Sequence, residues 1–167
     1  MAEKFKMVGM IVVMVTLYYV VTLALRPCIV VENDANILYC FKLNADEEIA
    51  LQYVHSVEKT VVIEKIGLVN NELCIKEMLY QSFGAGLPFL VQQGQFRIEN
   101  DWFIINDINE KTNSISLRVS KNPKLTINYQ GQAYNLYELI PDNSVVNIKS
   151  ARYYDIFIAD KIYRGIR

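Results

Sequence analysis

Nineteen consecutive residues, Met7 to Leu25 (MVGMIVVMVTLYYVVTLAL), carry no charge and no proline, and no other feature constrains the chain as strongly. As a helix the run measures about 28 Å at about 1.5 Å per residue, close to the roughly 30 Å hydrocarbon core of a bilayer. The apolar stretch of a cleaved signal peptide is usually about 7 to 15 residues, so the length favours a retained anchor in residues 1–28. Thr22 and Ala24 have the small side chains that a signal peptidase reads, which leaves secretion after cleavage near Ala24 as the alternative. Cys28 follows Pro27 and not the small residue that precedes a lipid-modified cysteine, so lipidation is set aside. Lys4 and Lys6 before the run outweigh Arg26 after it, which places residues 29–167 outside the cytoplasm as a single extracytoplasmic domain. No second stretch approaches the length of a span, so the chain by itself is neither channel nor carrier.

Charge and composition narrow the function classes. Lys plus Arg total 17 against 18 for Asp plus Glu, a net charge of −1, which gives nucleic acid no electrostatic footing. With 52% hydrophobic and 21% charged residues the chain is no disordered tail. One histidine and three cysteines are few for zinc or a disulfide scaffold, and no metal or cofactor is expected. Cys40 and Cys74 lie in strand-like runs; a bridge between them is one option, and two buried free thiols acting as small hydrophobes is the expected one.

Beyond the apolar run the pattern becomes alternating. Ile49, Leu51, Tyr53 and His55 share one parity, as do Ile115, Leu117 and Val119, and Leu125, Ile127 and Tyr129. Further strands are expected at Ile37 to Lys42, Thr60 to Val69, Leu73 to Gln81, Trp102 to Ile105, Gln132 to Ile140, Val145 to Lys149 and Arg152 to Ile158. That last strand accounts for Tyr153 and Tyr154, while Glu58 and Glu64 are expected to pair with Lys59 or Lys65 on a solvated face. Turn residues separate the segments, with Asn70-Asn71 the clearest hairpin because Asn tolerates positive φ. About ten strands without a long amphipathic helix predict an all-β fold, an antiparallel β-sandwich or barrel-like domain behind one N-terminal transmembrane helix.

Two segments carry the chemistry. Tyr53-Val54-His55-Ser56-Val57-Glu58-Lys59-Thr60 holds the only histidine, and Tyr80-Gln81-Ser82-Phe83-Gly84-Ala85-Gly86-Leu87-Pro88 is rich in glycine. His55 reads either as an imidazole that fixes how one turn docks on another or as a general base. Ser56 is a poor partner for it, because adjacent strand residues point to opposite faces. Ser82 becomes a partner only if the two segments meet in space, and its surroundings are not the Gly-x-Ser-x-Gly elbow of hydrolases. Gly84 and Gly86 permit a backbone cradle for a carboxylate, or simply a strained turn before Pro88. No residue is assigned as catalytic. Asn106-Asp107-Ile108-Asn109-Glu110 lacks the glycine and distal glutamate of a calcium loop.

These paired segments resemble the bacterial domain of unknown function 1850, whose members carry Tyr-x-His-Ser-Val-Glu followed by Ser-Phe-Gly-Ala-Gly-Leu-Pro. Genes of that family commonly lie beside those of TRAP-type transporter permeases with a TAXI-type solute receptor. The resemblance implies a membrane-anchored accessory protein that handles a ligand or binds the permease or its receptor at the cytoplasmic membrane. The alternative is a small hydrolase or isomerase using His55 as general base.

Overall fold

The computed structural model of the chain describes residues 2–34, 36–44, 46–82 and 94–156. The uncharged run forms one helix, α1 (Ala2–Ala24), since no residue before Pro27 removes a backbone donor. Its apolar part, Lys4–Ala24, has a mean hydropathy of 2.2 and none of it is buried by the rest of the protein. Such a helix is compatible with a single-pass anchor or with a signal sequence.

The body begins at β1 (Pro27–Asn33), so Pro27 and Cys28, grouped with the anchor on sequence grounds, belong to a sheet. The chain continues through β2 (Asn36–Lys42), β3 (Glu48–Val54), β4 (Val61–Val69), β5 (Glu72–Tyr80), β6 (Gln95–Glu99) and β7 (Trp102–Asn106). Then come β8 (Glu110–Thr112), β9 (Ser114–Arg118), β10 (Thr126–Tyr129), β11 (Gln132–Asn135), the short α2 (Leu136–Leu139) and β12 (Val145–Arg152). Four strands form one sheet in the order β2-β1-β12-β9, and eight form the other in the order β11-β10-β3-β4-β5-β7-β6 with β8 also paired to β5. Every pairing is antiparallel, as expected of an all-β chain without crossover helices, and the sheets do not close into a barrel.

Alternation explains the stacking. Ile29, Val31, Phe41, Val146 and Ile148 of the smaller sheet pack on Ile49, Leu51, Ile66, Leu73 and Ile127 of the larger one. A second, smaller cluster of Val62, Tyr80 and Ile105 lies in the larger sheet, with Tyr53, Met78 and Phe103 against it. Tyr53 touches both clusters and marks their junction.

Turn chemistry sets the hairpins. Asn70 and Asn71 both have positive φ (54° and 64°) between Val69 and its partner Glu72, the two-residue geometry that matches strand twist. Asn100-Asp101 and Gln130-Gly131 repeat it between β6 and β7 and between β10 and β11.

Three expectations need correction. The segment Gln132 to Ile140 is strand only to Asn135: the Leu136 amide donates to Leu125 O (3.0 Å), its side chain drops into the core, and the next residues coil into α2. β12 ends at Arg152, whose amide donates to the Asp155 carboxylate (3.3 Å), and residues 153–156 are helical; Phe157 and Ile158 lie outside the described residues. Three strands went unforeseen: β1 is buried without alternation, β8 has three residues, and β6 is exposed throughout. The three cysteines are free, as expected, with Cys74 buried and Cys40 half-buried; Cys40 and Cys74 stand on different sheets, which excludes the alternative of a bridge between them in this fold. The neighbour of Cys40 is Cys28, two residue pairs along and so on the same face of β1 and β2. A hydrogen bond with Cys40, together with burial, pushes the Cys28 thiol far up.

Candidate functional site

The hairpin from β3 to β4 is closed by residues 55–60, since Val54 pairs with Val61. Within it the His55 amide donates to Thr60 O (2.8 Å) and the Lys59 amide to His55 O (3.0 Å). The Glu58 amide donates to His55 Nδ1 (3.2 Å). A backbone donor therefore occupies one imidazole lone pair, and in the neutral ring the proton sits on Nε2. The ring caps its own loop in the way a short polar side chain caps a turn.

The two sequence segments do meet. Ser82, two residues past the end of β5, donates its hydroxyl to Glu58 Oε2 (3.0 Å) across 24 residues of chain. His55, Glu58 and Ser82 thus form one chain of contacts in which Glu58 is central: its amide is held by the histidine and its carboxylate holds the serine. Ser56 is exposed, and Val57, two residues on from His55 in the same parity, is 61% exposed at the loop tip. The strand parity lapses once the chain enters the turn. Gly84, Gly86 and Pro88 lie outside the described residues. Among the described residues no group of three or more His, Cys, Asp or Glu side chains converges as a metal site.

Two features escaped the sequence reading. The first is the Thr60 hydroxyl oxygen, which is buried without a hydrogen-bond partner among the described residues. The second is a carboxyl inside the sheet. Glu64 shares the face of Val62 and Leu51 and accepts the Tyr53 hydroxyl at 2.8 Å. It is not paired with Lys59 or Lys65; Lys65 instead bonds Glu77 and lies 3.8 Å from Glu48 on the opposite face. Burial drives the Glu64 carboxyl above its usual range, the Tyr53 bond partly opposes this, and Glu110 adds to the rise. Burial likewise raises the Tyr53 phenol, with the Glu64 charge adding to it. The pairing was legible in principle: counting outward from Val54 and Val61 places Tyr53 opposite Val62, diagonal to Glu64.

The arrangement is poor for nucleophilic chemistry. The expected His55 and Ser82 dyad is not formed, because the Ser82 hydroxyl is bonded to the Glu58 carboxylate and the His55 Nδ1 lone pair is used by the backbone. As a docking device it works well, tying the β3–β4 loop to the chain leaving β5.

The family described as Domain of unknown function (DUF1850) matches residues 49–136, just over half of the chain, from β3 to the first residue of α2. Comparison with curated proteins and with solved structures gives no match.

Proposed function

This chain belongs to the DUF1850 family, and we propose that it serves as a membrane-anchored, extracytoplasmic accessory protein of a TRAP-type solute transporter with a TAXI-type receptor. In this role the β-body binds a partner subunit or handles a ligand and does no chemistry. The observation that carries the non-enzymatic reading is the His55–Glu58–Ser82 contact, in which the imidazole nitrogen Nδ1 caps its own loop and Ser82 is bonded to Glu58. The apolar α1 supports anchoring, and the basic residues Lys4 and Lys6 ahead of it support an outward-facing body. The transporter link rests on the genomic setting that the family resemblance implies.

Purification of the full-length protein from detergent-solubilised native membranes tests the partner. Co-recovery of a TRAP permease or its solute receptor is the expected result, and repeated recovery of the protein alone overturns the transporter assignment. His55→Ala tests the division of labour: it should lower stability by about 1 kcal/mol by orphaning the Glu58 amide. Loss of a measurable catalytic activity at unchanged melting temperature would instead favour the hydrolase or isomerase alternative.

A further inference from the structure

The junction between helix and body contains a notch of about 250 Å3 lined by Val20, Leu23 and Ala24 of α1 and by Tyr153 and Tyr154 just past β12. It is built and not incidental. The Tyr153 amide donates to Arg26 O (3.1 Å), which ties the residue after β12 to the link that leaves α1. The Lys42 ammonium lies 4.0 Å from the centroid of the Tyr153 ring, so the outer side of that ring is covered by a cation. Tyr153 and Tyr154 nevertheless remain 39% and 51% exposed, and Leu25 beside them 49%. Water is a poor neighbour for such a surface.

Position and charge say what covers it. The notch sits at the end of the apolar span, where an anchored helix passes from hydrocarbon to headgroups, the depth at which tyrosine is enriched. Among the described residues three cations stand at the same level: Arg26, Lys42, which pairs with Cys28, and Arg152, which pairs with Pro27 at the end of β12; Asp155 is the acidic residue described beside them. An apolar cleft under a net positive rim is complementary to one molecule that has both characters, an anionic phospholipid.

We propose that the notch between α1 and Tyr153–Tyr154 holds an anionic glycerophospholipid, with the upper acyl chain against Val20, Leu23 and the two tyrosines and the phosphate near Arg26, Lys42 and Arg152. This inference rests on the anchored reading of α1. It adds that the body is seated on the bilayer surface and does not swing on a free tether, so the β-sandwich is presented to partners at a set height and orientation.

The test uses the full chain in liposomes of phosphatidylglycerol or of phosphatidylcholine, each doped with a phospholipid bearing a photoactivatable diazirine in the acyl chain, with labelled residues mapped by mass spectrometry. The expected result is label on α1 and on Tyr153 or Tyr154, with tyrosine labelling at least twofold higher in phosphatidylglycerol. The double variant Arg26→Gln, Arg152→Gln should bring the two lipids to parity. Label on α1 alone overturns the notch while leaving the anchor standing; label on neither overturns the anchor itself. Equal tyrosine labelling of the unaltered protein in both lipids overturns the anionic preference.

Discussion

Glu64 is the residue whose environment departs furthest from what its type suggests. A carboxyl on the inner face of a sheet costs free energy unless it is neutral or bonded, and here it is bonded by one hydroxyl and biased toward the neutral form by burial. Its folded-state pKa lies above the unfolded value of about 4.3, so the native state binds more protons across that window. Stability from this group is therefore greatest at pH 4 and below and falls as pH rises through the raised value. Glu64→Gln keeps an acceptor for Tyr53 and removes the titration. Its melting temperature should exceed that of the unaltered protein at pH 8 and equal it at pH 4, as read by thermal melts at the two pH values. A constant difference at both would assign the effect to packing.

At the scale of elements, local conformation is written directly in the residues. Asn70-Asn71, Asn100-Asp101 and Gln130-Gly131 all adopt the paired positive φ that tight hairpins demand, and each is visible as turn chemistry in the sequence. Replacing Asn71, at φ 64°, by a β-branched residue should be costly: Asn71→Ile is expected to destabilise by about 1 to 2 kcal/mol, measured by chemical denaturation, because the left-handed conformation crowds a branched Cβ. Little change would mean that the β4–β5 turn has relaxed to another type. Elements whose character depends on a neighbour were harder to read. α2 exists because Leu136 leaves the alternation to enter the core, and β1 has both faces covered, so it shows no period.

Across the whole molecule the two sheets are unequal, and this divides stability. β1, β12, β3 and β4 bracket the larger core, whereas β6 stands last in the order of the larger sheet among the described strands and its five residues are exposed. Amides of Arg97 and Ile98 should exchange with solvent well before those of Ile49 to Leu51 and Val62 to Ile66 in native-state hydrogen exchange; uniform protection would show one cooperative unit instead. Much of this architecture was legible beforehand. The length of an uncharged run, the period of two and the turn residues are local properties, so the sequence by itself determined an apolar helix followed by an antiparallel all-β body with the Asn70-Asn71 hairpin in place. It also marked His55, Glu58 and Ser82 as notable. Only the tertiary structure decided that Glu58 is what joins the two segments, that Glu64 turns inward to Tyr53, and that Cys40 neighbours Cys28. Alternation defines two faces for a strand but not its neighbours; those follow from the burial of the whole chain, which no short window of residues contains.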